Sequence, residues 1–557
     1  MESETPGGGG SPHSGRRPVV VSLMLCMALA ALDTTIVATA VPQIIGDLGG
    51  LSTFSWLFSG YLLAVTVTLP VYGRFCDTFG RKPVLLGGVG LFLLGSLLCA
   101  GAWNMASLIA FRVVQGLGGG AIQGTVQTVA ADLYPLPERP KVQAALSSVW
   151  ACSAVAGPGL GGLLVAFVDW RWIFLINLPV GGLALWLLWR NFREPRRPAR
   201  RASVDWPGAL AVFVCGGLLL TALVRGGVAW PWLSAPSLGL LGGALVAGML
   251  VVVVERRATE PIIPGWVWRR RLIASVNLSL GAMGLLMVAP TVFLPTYAQT
   301  VLGLGPVAAG FVLSVMTLSW PVSAALSQHV YRRVGFRQSA MIGMTGALLT
   351  LLAFPLLPHE EGSAWQPALL SLLLGASLGI FQLPLIIGVQ SSVPWRERGT
   401  ATASILFHRQ IGQCVGAAGL GAIANATLSR ELADAPPDAP RRLDEASQAL
   451  DHHQLGGEAG EFLRNAMAQA VSHVYLAAAL AAALALLALL LAPRVFPVRQ
   501  EDPAPGDQPA PPQPEGRVTP KTPQAPPATG DAEGAEATEG AHPSHRATSD
   551  RDGHTDR

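Results

Sequence analysis

The chain has 557 residues, of which 51% are hydrophobic and only 13% charged, with a formal net charge of +4. Globular domains carry about a quarter charged residues, so half that share over this length excludes an ordinary soluble enzyme. A disordered or nucleic-acid-binding chain would be rich in charge and is excluded on the same ground. The six cysteines (Cys26, Cys76, Cys99, Cys152, Cys215, Cys414) are scattered, and all but Cys76 lie in apolar runs. Their spacing fits neither a metal site nor a disulfide framework, and small apolar packing residues are the plainer reading.

Residues 1–18 are polar and Gly-rich, the composition of a disordered terminus. The apolar run that follows is too long for a signal-peptide core and lacks a convincing cleavage site, so it reads as a retained helix. A spanning helix needs about 20 apolar residues. Fourteen runs of that kind follow: 19–42, 55–73, 83–102, 107–130, 143–167, 172–189, 207–225, 236–254, 272–298, 306–327, 338–357, 365–390, 400–425 and 470–492. Most are too long for strands and lack period-2 alternation. In lipid the backbone must be satisfied within each segment, so such runs become helices.

Lys and Arg set the orientation. With the N-terminus inside, the inner loops carry Arg74, Arg81, Lys82, Arg139, Lys141 and a cluster from Arg190 to Arg201. They continue with Arg256, Arg257, Arg269, Arg270, Arg271, Arg332, Arg333, Arg337, Arg396 and Arg398. The short outer loops hold almost none, Arg171 and Arg225 excepted. An even number of spans with both termini cytoplasmic follows. An outer loop of about 427–468 is rich in Asp, Glu, Pro and Ala. From 493 the chain is a tail that becomes Pro-, Gly-, Ala- and Thr-rich and cannot bury enough surface to fold alone.

An ionisable group inside a spanning helix costs about 2.5–3.5 kcal/mol even on the gentler insertion scale, so each is a functional candidate. Asp33 lies in the first run, within Leu32-Asp33-Thr34-Thr35. Set among apolar residues, it either binds and releases a proton or serves as a structural carboxylate held by Thr hydroxyls or an Arg. Arg112 lies in the fourth run with Gln115 on its face. It keeps its proton, and either tunes a nearby carboxyl or joins helices structurally. His408 and Arg409 lie in the thirteenth run. They either line a cavity or pair with an acid, or they snorkel to the headgroups.

The fifth run contains Gly157-Pro158-Gly159-Leu160-Gly161-Gly162. Proline kinks a helix and glycines admit a close neighbour, so Gly157, Pro158, Gly161 and Gly162 form a candidate pivot. The loop Gly73-Arg74-Phe75-Cys76-Asp77-Thr78-Phe79-Gly80-Arg81-Lys82 is a candidate gate. Gly80 suits a positive φ, and Asp77 can hold Arg81 or a helix N-terminus. The plainer account of Arg81 and Lys82 is topological charge alone.

Together these pieces resemble the major facilitator superfamily, in its fourteen-helix drug:proton antiporter branch. Leu32-Asp33-Thr34-Thr35-Ile36-Val37 through Pro42 is similar to the branch's first-helix motif. Gly73 to Lys82 resembles G-x-L-A-D-x-x-G-R-K, and Arg112, Gln115 and Gly116 fit R-x-x-x-G with its preceding Gln. Gly157 to Gly162 fits the antiporter motif G-P-x-x-G-G. Trp170 to Pro179 resembles the sixth-helix entry, Asp205-Trp206-Pro207-Gly208 the seventh, and Arg409-Gln410-Ile411-Gly412 the thirteenth helix. Phe75, Cys76, Thr78 and Ser153 depart from the motifs.

The resemblance implies an all-α membrane fold: a six-helix bundle over 19–190, a linker over 191–271 with two extra helices, and a second bundle over 272–492. His329 to Arg337 resembles a degenerate copy of the first bundle's loop. The implied function is proton-coupled export of amphipathic, hydrophobic or cationic small molecules across a bacterial inner membrane by alternating access, with antibiotic resistance as its consequence. Asp33 and Arg112 would couple protons, Gly73, Asp77, Gly80 and Arg81 would form the gate, and Thr34, Gln115, His408 and Arg409 would lie at the cavity. The proton gradient would be the energy source, with no cofactor, metal or nucleic acid, and the monomer in its bilayer the working unit. Export of lipids, glycolipids or a self-made metabolite is the alternative on the same scaffold, and a non-transporting membrane sensor a remoter one. No nucleophile–base set points to an enzyme, and no Walker loop to ATP.

Overall fold

Backbone groups in lipid must be satisfied within their own segment, and the chain is built of helix after helix. The computed structural model describes residues 16–49, 56–194, 205–226, 230–231, 233–258, 261–357, 363–433, 435 and 457–497. The helices are α1 (Arg16–Leu48), α2 (Trp56–Phe79), α3 (Arg81–Ala100), α4 (Met105–Leu133) and α5 (Arg139–Phe167). Next come α6 (Trp172–Asn191), α7 (Trp206–Arg225), α8 (Ala235–Arg257) and α9 (Arg271–Thr300). The last are α10 (Pro306–Val334), α11 (Phe336–Ala353), α12 (Trp365–Ser392), α13 (Trp395–Ala433) and α14 (Gly457–Leu491). Each of the fourteen apolar runs falls largely in one of them. Among the described residues, thirteen helices are long and apolar enough to cross a membrane; α5, with its Gly- and Ser-rich stretch, is a helix of 29 residues.

The outer loop expected over 427–468 is shorter than its composition implies. Helix α13 runs on to Ala433 and α14 begins at Gly457. Leu432 and Leu463 bury against each other's neighbours Leu428 and Phe462, so an apolar contact carries both helices beyond the apolar run. Residues 1–15 and 498–557, where disordered termini are expected, lie outside the described residues, as do 436–456.

The packing repeats itself eight helices later. Helix α1 lies on α5 and α6, α2 on α4, and α3 on α4 and α6; correspondingly α9 lies on α13 and α14, α10 on α12, and α11 on α12 and α14. The turns repeat too. Gly80 before α3 and Gly335 before α11 both take positive φ, 97° and 86°, where a Cβ would be strained. Past each glycine a cation caps the bundle's last helix. Lys82 Nζ donates to the Trp189 and Phe192 carbonyls (2.8 and 2.6 Å), and Arg337 donates to those of Leu489 and Leu490 (2.9 and 3.2 Å). Cations favour helix C-termini for their unpaired carbonyls and dipole. The two sets of six helices meet along α2–α13 and α5–α10, while α7 and α8 pack together and α7 reaches both α2 and α13 across that seam.

Close approach is steepest between α9 and α13. A Cβ on Gly412 would stand 1.9 Å from the Gly281 carbonyl oxygen, and one on Gly284 2.0 Å from that of Arg409. Backbone cannot yield as a side chain does. Gly412→Ala is therefore expected to cost about 1–3 kcal/mol, read as a lower Tm in detergent. Gly421→Ala, which meets nothing within 4 Å, should leave Tm unchanged; equal effects would refute the packing account.

Candidate functional site

The two bundles differ in their interiors. The second has one large apolar core from Val267 to Phe496, with small satellites around Ile387 and Leu432. The first has two, one around Leu23, Val89 and Val126 and one around Ile36, Cys99 and Phe174. A polar layer lies where they divide. It holds Asp33 of α1, Ser96 of α3, Arg112 and Gln115 of α4 and Asn177 of α6, all fully or almost fully buried. Arg112 Nη1 donates to Asp33 Oδ2 and to Gln115 Oε1 (2.7 Å), and its Nε to the Leu57 carbonyl (3.2 Å). Gln115 Nε2 donates to Asp33 Oδ1 (2.8 Å) and Ser96 Oγ (2.7 Å). Asn177 Nδ2 reaches the same two acceptors at 3.4 and 3.2 Å. The guanidinium stands 4.3 Å over the Tyr61 ring. Gly95 makes the layer sterically feasible: a Cβ there would sit 2.5 Å from the Gln115 Cα.

A second polar cluster ties the bundles together at the face that carries the Lys/Arg-rich loops, hereafter the basic face. Asp77, at the end of α2, accepts from the backbone N–H groups of Gly399 (2.9 Å) and Thr400 (2.7 Å) in the second turn of α13. Hydrogen bonds from N–H groups to an ionised carboxylate are short and strong. Asp77 also lies 3.4 Å from Arg81. Arg81 donates to Asp132 at the end of α4 (2.8 Å), to the Cys76 carbonyl (3.0 Å) and to the Trp395 carbonyl of the other bundle. Arg398 of α13 pairs with the same Asp132 and donates to the Gln390 carbonyl (3.0 Å). One carboxylate thus joins an arginine from each bundle. Gly73 and Gly399 let α2 and α13 touch, since a Cβ on Gly73 would fall 2.3 Å from the Ala403 Cβ. Glu194 holds the turn, accepting from Arg81 N (2.8 Å) and Lys82 N (3.0 Å) beside Gly80.

Between the bundles lies a cavity of about 280 Å³, near the lower end of small-molecule pockets, about 300–1,000 Å³. Helices α1, α4 and α5 face α9, α10, α12 and α13 across it. Met27, Met283, Met287 and Met316 with Trp150 and Trp320 supply polarisable apolar surface, and Gln123, Gln127, Gln382 and Gln413 supply amides. Among the described residues Arg409 is the one charged side chain lining it.

Of the four residues expected at a cavity, only Arg409 lines this one. Gln115 is turned into the Asp33 layer. Thr34 donates to the Ala31 carbonyl (2.8 Å) within α1. His408 bonds the Ser404 carbonyl (2.7 Å) and packs edge-on to Trp268, since successive helix residues point about 100° apart. At the expected pivot, Gly157 meets α1, where a Cβ would lie 2.0 Å from Thr35 Oγ1, and Thr35 donates to the Ser153 carbonyl (3.1 Å). Gly161 is buried, and Gly162 faces open space. Pro158 lies within α5, its side chain outside the described positions. Asp132, Arg398 and Ser96 escaped the sequence reading as site residues, and Asn177 entered it only within the sixth-helix motif. Arg398 counted only as topological charge, and Asp132 lay just past an apolar run with no motif around it.

Comparison with known proteins agrees with this architecture. Residues 23–417 match the family model described as Major Facilitator Superfamily. The chain is 32% identical over 417 residues to Multidrug resistance protein 3 of Bacillus subtilis (strain 168), covering 75% of this chain and 81% of that protein. It is 32% identical over 425 residues to Multidrug transporter protein MdtP of the same organism, covering 76% and 78%. It is 34% identical over 417 residues to Efflux pump dotC of Dothistroma septosporum (strain NZE10 / CBS 128990), covering 73% and 71%. Among solved structures, the human organic anion transporter MFSD10 (TETRAN) shares the fold at TM-score 0.54 and 16% identity, covering 86% of this chain and 100% of that one. Paired six-helix sets repeating eight helices apart, the polar loop between α2 and α3 and the sequence match converge: this chain belongs to the major facilitator superfamily.

Proposed function

We propose that the chain is a proton-coupled exporter of amphipathic or hydrophobic small molecules, working by alternating access in a bacterial cytoplasmic membrane. The basic face is the cytoplasmic one, with both termini on that side. Relatives named for multidrug resistance and efflux support the export reading. The observation that carries the coupling is the charged layer in the first bundle alone, where Asp33 touches residues of α4 and α6 while wholly buried. Protonating Asp33 removes one partner of a buried pair, and an uncompensated buried charge costs about 3–5 kcal/mol. The bundle must then rearrange, so proton uptake and helix packing move together.

In this scheme Asp33 takes the proton and Arg112 tunes it. Gly73, Asp77, Gly80 and Arg81 close the cytoplasmic gate, and Gly157, Pro158, Gly161 and Gly162 form the pivot where α5 turns on α1. The monomer acts in the bilayer with the proton gradient as its energy source and no cofactor. The test is uptake into inverted proteoliposomes across dyes, antibiotics and lipids. At least one amphipathic compound should accumulate when a pH gradient is imposed and leak back when an ionophore collapses it. Accumulation indifferent to the ionophore would refute coupling; movement of lipids alone would favour a lipid exporter.

A further inference from the structure

Three buried arginines of this protein have acid partners. Arg112 has Asp33, and Arg81 and Arg398 share Asp132. Arg409 differs. Among the described residues it makes no hydrogen bond and no ion pair, and its Nε is buried without a partner. Its backbone is held in place, with its own carbonyl pressed against Gly284 of α9, and its side chain lines the cavity. Arginine does not shed its proton, and burying an unpaired charge is costly. Arg409 is half-buried, with Nε enclosed and the rest of the fork open to the cavity, where a group from outside the protein can meet it.

The rest of the wall says what partner. Among the described residues no Asp or Glu lines the cavity, so none of them neutralises a cation there. The faces of Trp150 and Trp320 attract cations weakly, and the fixed charge of Arg409 in the same small, poorly screened space opposes that attraction. The guanidinium fork suits a planar oxyanion, which it can hold through two parallel hydrogen bonds. Gln413, one turn along α13, adds an amide on the same side.

We propose that Arg409 anchors an anionic group of the transported molecule. The cavity accepts apolar monoanions, with a carboxylate or similar oxyanion on the guanidinium and the apolar body against Met283, Met287, Met316 and Trp320. This rests on the export reading above and narrows its substrate class from amphipaths in general to acids, away from cations.

The test uses the full chain in nanodiscs, with empty nanodiscs as blank. The probes are pyrenebutyrate and its uncharged methyl ester, followed by energy transfer from tryptophan to pyrene. The native protein should bind the acid at least about tenfold more tightly than the ester, the scale of a charge-assisted hydrogen-bonded pair. Arg409→Gln should bring the two affinities together, and Arg409→Lys should keep a reduced preference for the acid. Equal affinities in the native protein, no binding of either probe, or an acid preference that survives Arg409→Gln would overturn the proposal. Should Arg409→Gln fail to fold, the native ratio and the lysine variant still decide. Gradient-driven export of neutral compounds without any acid preference would sink this proposal and leave the export reading standing. Selective acid binding with no gradient-driven movement of any compound would do the reverse.

Discussion

Asp33→Asn is expected to abolish uphill export while leaving downhill exchange of substrate intact. For an uncharged substrate exchanged against one proton, a potential of 100 mV supplies about 2.3 kcal/mol, enough to sustain a gradient of about 50-fold. With no titratable group at position 33, that gradient should fall to unity. Asparagine mimics the protonated carboxyl, so the variant should still carry labelled substrate in counterflow with no gradient. Loss of charge also strands Arg112 without a counter-ion, with only neutral amide oxygens left as side-chain acceptors for its Nη1. The paired variant Asp33→Asn with Arg112→Gln removes both charges together, and removing both halves of a buried pair is far milder than removing one. It should restore the Tm without restoring uphill export. Retained gradient-driven accumulation in either variant would show that Asp33 is structural and that the proton travels elsewhere.

Asp132→Asn is expected to open the basic face. Asp132 is the acceptor common to Arg81 and Arg398, arginines from opposite bundles whose side chains are 1% and 4% exposed. Breaking a buried pair costs about 3–5 kcal/mol, and the cost falls only on the state in which the bundles meet here. A bias of about 3 kcal/mol in one state is a population shift of more than about 100-fold. Spin labels at Lys141→Cys of α5 and Arg332→Cys of α10, both exposed at that face, should report a longer separation in the variant. An unchanged distance distribution would mean that Asp77 on the N–H groups of Gly399 and Thr400 and the Gly73–Ala403 contact hold the seam without help from Asp132.

These expectations depend on pairings of very different sequence reach. Hydropathy and the placement of Lys and Arg suffice for the spans, because each lipid-buried segment must satisfy its own backbone and does so independently of its neighbours. The turn glycines are equally local: Gly80 takes φ 97° because the chain reverses there within one residue. Motif spacing also brought Asp33, Arg112 and Gln115 forward as residues of interest. None of this gives the rotation of one helix against another, which depends on which small residues let two backbones meet.

That rotation decided the rest. Gly95 admits Gln115, turning it inward to Asp33 rather than toward the cavity. Asp77 finds its partners 322 and 323 residues away at the start of α13, a contact no local pattern encodes. His408 and Arg409 are adjacent in sequence with similar chemistry. Only the seating of α13 on α9, through Gly412 and Gly284, sends one toward Trp268 and the other into the cavity. Local hydrophobicity and charge thus dictated an all-helical membrane chain with a buried acid and a polar loop; side-chain pairing across helices, which exists only once the bundles have packed, determined what each of those groups faces.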